Sequence, residues 1–175
     1  VFVADVLIKP SAKLEIATST DARQVVSMAE FLELNMNKKL ITKVLLPSYD
    51  QATTKFESYK IMPRSQNTPA YVNAAFMLQF EDQKVTKANI CFGGISATFK
   101  RAENLEKFLI GKNIEDNQVI TAAIEVLTSE VTPTPTLLPV STEFRQNLAT
   151  SLFYKFILSI LPDDKVNEKF KSGAK

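Results

Sequence analysis

The stretch AYVNAAFMLQFEDQKVTKANICFGG, residues 70–94, decides the fold of this 175-residue chain. Residues 70–81 and 84–92 are both rich in apolar residues, and only Asp82-Gln83 separates them. Two strand-like segments joined by two turn residues predict an antiparallel β-hairpin. The second strand runs into Gly93-Gly94, where the chain must bend or let another backbone approach closely.

The segments upstream of this hairpin predict further strands and one helix. Residues 12–17 alternate polar and apolar side chains, as a half-buried strand does. Residues 19–21 offer a helix cap, and apolar residues then follow at helical spacing: Val25, Met28, Ala29 and Leu32. Residues 40–46 form a short apolar run that stops at Pro47 and indicates a buried strand. Residues 54–62 indicate another strand, and the proline-bracketed segment 63–69 a loop.

Three helices are predicted downstream of the hairpin. Residues 102–110 end at Gly111, a natural C-cap, and a second helix begins at Asp116 or Asn117. The strongest pattern follows Ser141 and Thr142, with apolar residues at four-residue spacing: Phe144, Leu148, Leu152, Phe156 and Ile160. Three or more strands followed by three helices predict an α+β fold, with the helices on one face of an antiparallel sheet.

The composition excludes several kinds of site. The chain has no histidine, so it holds no Ser-His-Asp or Cys-His nucleophile system and no His-ligated metal. Its single cysteine, Cys91, excludes an internal disulfide and a thiolate cluster. The four glycines cannot spell a GxGxxG or GxxxxGK[ST] phosphate loop. We therefore expect no complete active site in this chain.

Charge and hydropathy limit the classes of partner that this chain can have. Lysine plus arginine number 21 and aspartate plus glutamate 19, and the basic residues are scattered, which argues against a nucleic-acid partner. No segment approaches the roughly 20 apolar residues of a membrane helix. The apolar start, residues 1–8, lacks the features of a signal peptide, and a lone cysteine favours a reducing, cytoplasmic compartment. Because the chain begins without Met and ends in a polar stretch, we expect both ends to be cuts in a longer polypeptide.

Few side chains qualify as candidates for chemistry. Glu103 and Glu106 are expected on a solvated helix face, and Cys91 in a buried, unreactive position. Lys60 is more informative, because it ends a strand directly before the loop 63–69, where a cation would lie at a sheet edge. An exposed lysine without a function fits the same spacing, and the same alternatives apply to Arg64 in the loop.

Five segments resemble, in order, the molybdenum hydroxylases, the family of xanthine dehydrogenase and aldehyde oxidase. Residues 143–156 are similar to the family's EFRxxLxxSFFFKF helix, and residues 90–95 to its strand ending in Gly-Gly. Residues 59–74 resemble its FK…AKVTS segment, and residues 40–47 its ILxSIxIP strand. Residues 165–173 resemble its linker toward the molybdenum domain.

The resemblance implies a place in the second half of an FAD domain. It assigns residues 1–53 to the end of a PCMH-type FAD-binding α/β subdomain. Residues 54–162 become a CO dehydrogenase flavoprotein C-terminal domain, and residues 163–175 a linker toward a molybdopterin domain. In such enzymes the substrate is hydroxylated at molybdenum, electrons cross 2Fe-2S clusters, and FAD passes them to oxygen or NAD. The partners implied are the iron–sulfur and molybdopterin domains of the same parent chain, with the parent a homodimer.

The resemblance also implies site residues. Leu40 and Ile41 match contacts beside the isoalloxazine of FAD, and Lys60 matches a lysine near the flavin. A cation there stabilises the negative charge of the reduced flavin. The family's FAD pyrophosphate loop has no counterpart here, so the FAD would be shared with an upstream subdomain. Ser65, Gln66 and Asn67 stand where xanthine dehydrogenases carry acidic residues, which favours aldehyde oxidase and an oxygen acceptor.

Two other interpretations remain open. The chain would be a free-standing, non-catalytic α+β interaction domain if it has kept the fold and lost the flavin. An unrelated α+β binding module is the third interpretation, and the five ordered matches argue against it. We expect no enzymatic activity from this chain alone.

Overall fold

A computed structural model describes residues 12–135, 140–166 and 168–169. The apolar start 1–8, the last residue of the 132–136 connector and most of the tail 167–175 lie outside these described residues. The elements in chain order are β1 Lys13–Ala17, β2 Arg23–Ser27, α1 Met28–Glu33, β3 Leu40–Leu45, β4 Thr54–Ile61, β5 Val72–Glu81, β6 Lys84–Gly93, β7 Lys100–Arg101, α2 Glu103–Leu109, α3 Asn117–Glu130 and α4 Thr142–Ile160.

Two antiparallel sheets organise these elements. The first has the order β2-β1-β3 and the second β4-β5-β6-β7. Helices α2 and α4 pack on one face of the second sheet, against β6 and β5, and α3 packs against both of these helices on the same side. The prediction of an α+β fold with helices on one face of an antiparallel sheet is confirmed.

The predicted hairpin forms the centre of the second sheet. Glu81 pairs with Lys84, and the two residues between them, Asp82 and Gln83, both have positive φ. Positive φ at both central residues is the turn geometry whose twist matches that of paired strands. The bend after β6 is confirmed as well, because Gly94 has a φ of +82° and a Cβ there would lie 2.3 Å from the carbonyl oxygen of Tyr71.

The main core lies between β5, β6 and the three helices. Phe76 on β5 is fully buried and contacts four other aromatic rings: Tyr59, Phe92, Phe153 and Phe156. Helix α4 begins at its Ser141 cap as predicted, and its buried stripe is centred on Ala149, Leu152, Phe153 and Phe156. Of the predicted stripe, Phe144 is 43% exposed, because Arg145 rather than Phe144 occupies the buried side of the first turn of α4.

The helix predicted after residues 19–21 begins later than expected. Val25 and Val26 lie in strand β2, where they pair with Glu15 and Leu14, and α1 starts at Met28. Two adjacent β-branched residues favour a strand over a helix. The cap is Ser27, which forms a reciprocal capping box with Glu30.

The burial predicted for residues 40–46 is wrong, although the strand itself is present. All six residues of β3 are exposed, since β3 is the edge strand of the first sheet and its apolar side chains have no cover among the described residues. The small core of this sheet contains instead Ala12, Leu14, Ile16 and Met28.

Candidate functional site

Lys60 lies on the face of the second sheet that the helices leave open. It pairs with Asn73 on β5, and Asn73 pairs with Gly93 on β6. Residues directly opposite each other in antiparallel strands share a face, so these three form one row across the sheet. The neighbouring residues on the same face, Ala75 and Cys91, are buried.

Lys60 is half-buried near the end of β4, and its ammonium forms no hydrogen bond or ion pair with the residues the structure describes. The loop 63–69 follows directly, as predicted. Arg64 folds back on this loop, with its Nη2 donating to the carbonyl oxygen of Asn67 at 3.1 Å. The guanidinium of Arg64 is therefore bonded within its own loop, whereas the ammonium of Lys60 remains available to a ligand.

Two further side chains converge on Gly93, and sequence reasoning missed both. A Cβ at Gly93 would lie 2.3 Å from Oδ1 of Asn73 and 2.9 Å from the ring of Phe99. The absent side chain of Gly93 therefore leaves the space in which the carboxamide and the ring meet. In the sequence, the feature that could have indicated Asn73 is its polar side chain directly before five apolar residues, 74–78.

Two aromatic residues cover the middle of this open face. Tyr49, from the segment between β3 and β4, and Phe99 both pack against a small cluster: Ala75, Met77 and Cys91. Burial raises the pKa of the Cys91 thiol to about 11, so the expected buried, unreactive cysteine is confirmed. The row of Lys60, Asn73 and Gly93 lies at the border of this covered region.

Leu40 and Ile41 lie in the first sheet, apart from the sheet that carries Lys60. Their exposed fractions are 67% and 39%, and the side chains of Val44, Leu45 and Leu46 are exposed as well. Exposed apolar side chains on an edge strand suit the dimethylbenzene part of an isoalloxazine, and Lys60 suits the polar pyrimidine edge. The described glycines, Gly93, Gly94 and Gly111, form no phosphate cradle. The residues thus fit the ring of FAD and not its pyrophosphate.

Comparison with known proteins identifies the fold family. Residues 57–160 match the family described as the CO dehydrogenase flavoprotein C-terminal domain, which is more than half of the chain. The chain belongs to this family.

Curated relatives are oxidases and dehydrogenases. An indole-3-acetaldehyde oxidase of Arabidopsis thaliana is 29% identical over 91% of this chain, and an abscisic-aldehyde oxidase of the same plant is 31% identical over 78%. A xanthine dehydrogenase of Blastobotrys adeninivorans is 26% identical over 89% of the chain. The chain spans only 11–12% of the lengths of these proteins. The resemblance to the molybdenum hydroxylases is confirmed.

Solved structures share the fold of this flavoprotein domain. A CO dehydrogenase from Oligotropha carboxidovorans superposes with a TM-score of 0.70 at 19% identity, covering 87% of this chain and 53% of that one. Quinoline 2-oxidoreductase from Pseudomonas putida 86 gives 0.70 at 23% identity over the same shares. The α+β architecture is therefore common to these chains.

A second polar cluster of the flavoprotein domain lies at the β6–β7 edge, and it corrects the prediction for Glu106. This carboxylate is 6% exposed and accepts hydrogen bonds from the backbone N–H of Ile90 at 2.7 Å and from Nε of Arg101 at 3.0 Å. Burial raises the pKa of Glu106, and the bonds from Arg101 and Ile90 act in the opposite direction. Glu103, one turn earlier, is exposed as predicted.

Arg145 is a buried cation that sequence reasoning missed. It is 1% exposed, and its guanidinium donates to the carbonyl oxygens of Gly94 at 2.7 Å and Thr134. These bonds join helix α4 to the Gly-Gly bend and to the connector after α3. The burial of Arg145 could have been predicted from its spacing, because it lies four residues before Ala149 on the buried stripe of α4. Residues at such positions are usually apolar.

Metal and membrane features are absent from the described part of the domain. No group of three or more potential ligands among His, Cys, Asp and Glu occurs in these residues. None of the described helices is both long and apolar enough to span a bilayer.

Proposed function

We propose that this chain is part of the FAD module of an aldehyde oxidase-like molybdo-flavoenzyme. The match of residues 57–160 to the flavoprotein family carries the proposal, and the names of the curated aldehyde oxidases support it. The FAD would pass electrons from 2Fe-2S clusters to oxygen, with NAD as the alternative acceptor. The chain itself helps to hold this FAD and hydroxylates no substrate.

The proposed cofactor-binding residues have distinct roles. The side chains of Leu40 and Ile41 point to opposite faces of β3, so the two residues supply apolar or backbone contacts beside the ring rather than one continuous surface. Lys60 brings a positive charge to the N1–C2 carbonyl edge of that ring and stabilises the negative charge that develops there when the flavin is reduced. These roles require the first sheet and the open face of the second sheet to act on one ligand.

The domain boundaries and partners follow from the same proposal. Residues 1–53 would complete a PCMH-type subdomain, residues 54–162 form the flavoprotein C-terminal domain, and 163–175 lead toward a molybdopterin domain. The exposed apolar side chains of β3 support a missing upstream part that covers them. The iron–sulfur and molybdopterin domains of the same polypeptide would be the partners, in a cytoplasmic homodimer.

The first test is the flavin content of the full-length polypeptide that contains this chain. After desalting, we expect the flavin absorption bands and about one FAD per polypeptide. A full-length protein that stays colourless with excess FAD would overturn the proposal. That result would favour the alternative, a free-standing interaction domain, for which exposed β3 is an equally suitable contact surface.

The second test is Lys60→Ala in the same full-length protein. Without the cation the reduced flavin is less stable, so fewer of the enzyme's electrons reside on it and reoxidation by the acceptor slows about tenfold or more. Reduction of the molybdenum centre should keep its rate. Lys55→Ala, an exposed lysine on the same strand, is the matched control. Equal slowing of both half-reactions would contradict the role of Lys60.

A further inference from the structure

We propose that Asn73, seated over Gly93 and beside Phe99, is a further flavin-binding residue that recognises the amide edge of the ring next to Lys60. This inference rests on the function proposed above and extends it. The ligand class is a planar heteroaromatic ring with an N–H between two carbonyl groups, as in the pyrimidine part of a flavin.

The first support is the placement of Asn73 beside Lys60. The two residues are direct partners in the pairing of β4 with β5. Adjacent strands lie about 4.8 Å apart, which is comparable to the separation of the two carbonyl groups of a pyrimidine ring. One ring edge therefore reaches both side chains.

The second support is that the carboxamide of Asn73 is unused within the described residues. Its oxygen and nitrogen form no hydrogen bond there, although the residue is half-buried. Asn89, on the same face of β6, is partly satisfied: its Oδ1 accepts from Nη2 of Arg101 at 3.3 Å, while its buried Nδ2 has no partner among the described residues. A half-buried amide without a partner has lost hydrogen bonds to water and gained none within the protein. A ligand can supply the missing hydrogen bond.

The third support is the space that Gly93 provides. Oδ1 of Asn73 lies only 2.3 Å from the point a Cβ of Gly93 would occupy, and the ring of Phe99 reaches the same point. Any side chain at Gly93 would displace the carboxamide and the ring together. The glycine thus fixes an amide beside an aromatic ring, with a lysine on the next strand but one.

These three side chains have complementary chemistry for one ligand. A carboxamide offers an acceptor and two donors, so it can accept from a ring N–H while it donates to the adjacent carbonyl. The ammonium of Lys60 donates to the other carbonyl, and Phe99 supplies apolar contact for the body of the ring. An Asn used in this way discriminates a ring with an N–H from one without it.

The test combines protein variants with a modified cofactor in the full-length protein. FAD and FAD methylated at N3 are titrated into flavin-depleted wild type, Asn73→Ala and Asn73→Asp, with binding followed by flavin fluorescence and absorption. We expect Asn73→Ala to weaken FAD about three- to tenfold. Methylation should weaken binding to wild type by a similar factor and change the affinity of Asn73→Ala little, because the N–H has lost its partner. Asn147→Ala, an exposed asparagine on α4, is the matched control.

The outcomes separate this inference from the function on which it rests. Asn73→Asp preserves size, so it keeps the test valid if Asn73→Ala fails to fold, and its carboxylate should weaken FAD at least as much. If wild type and both Asn73 variants bind FAD equally, or if methylation weakens all of them alike, Asn73 has no such role and the FAD module stands. If wild type binds no FAD while Asn147→Ala and wild type are both folded, the function and this inference fall together.

Discussion

The two sheets of this chain use similar apolar strands in opposite ways. In the second sheet β5 is almost entirely buried, between three helices on one face and Tyr49 and Phe99 on the other. In the first sheet the apolar strand β3 is exposed along its whole length. An apolar run therefore indicates a surface that must be covered, and the neighbouring elements decide whether this chain covers it. The second sheet and its helices contain the main core of the described fold, and the first sheet leaves an apolar edge strand exposed.

The largest effect should come from the core of the second sheet. Phe76→Ala removes the ring on which four other aromatic side chains converge, and we expect the free energy of unfolding to fall by about 3–5 kcal/mol. Denaturant unfolding measures this loss. Phe144→Ala removes a phenylalanine ring from a position that is 43% exposed, and it should lower the free energy of unfolding by less than about 1 kcal/mol. Similar losses for both variants would contradict a core centred on β5.

Arg145→Met should have the next largest effect. The substitution keeps a long side chain but leaves the carbonyl oxygens of Gly94 and Thr134 without their charged donor, and we expect a loss of about 2–4 kcal/mol. Thermal or denaturant unfolding checks it. Arg64→Met is the control, because that arginine bonds only within an exposed loop and should change stability by less than about 0.5 kcal/mol. An unchanged Arg145→Met protein would show that the buried cation does not hold the bend.

A smaller effect should appear as a pH dependence at Glu106. Because burial raises its pKa in the folded state above the ordinary value of 4.5, the folded protein binds more protons than the unfolded chain between those two values. The contribution of this group to stability therefore falls as pH rises through that window. We expect Glu106→Gln to remove this decline, measured by urea unfolding at a series of pH values. Glu103→Gln, on the exposed side of the same helix, should keep most of the decline, because the charge of Glu103 is the smallest of the causes acting on the pKa of Glu106.

The smallest effect should come from the exposed strand. Leu40→Ala changes a side chain that is 67% exposed and should alter the free energy of unfolding by less than about 0.5 kcal/mol. Leu14→Ala, in the same sheet and 3% exposed, should cost about 2–5 kcal/mol. Equal losses would mean that β3 is covered within this chain, and the contrast between the two sheets would then disappear.

The sequence predicted the second sheet and its helices well because their signals are local. A two-residue turn, a Gly-Gly bend and the Ser141 cap each determine structure within a few residues. The failures depended on distant partners. Val25 and Val26 became a strand because β1 pairs with them, and Glu106 became buried because Arg101 and the Ile90 amide meet it. Leu40 and Ile41 could be proposed as site residues only through the family resemblance, since an apolar run does not indicate which surface it faces.

One contact between helices has a consequence for local motion. The carboxylate of Glu130, the last residue of α3, accepts from the backbone amides of Asn104 and Leu105 in the first turn of α2, each at 3.0 Å. Helix α2 has no side-chain cap of its own at Ala102, so the end of one helix completes the start of another. Fraying of α3 therefore frees the amides of α2 as well. In hydrogen–deuterium exchange these two segments should open as one cooperative unit, although more than twenty residues separate them along the chain.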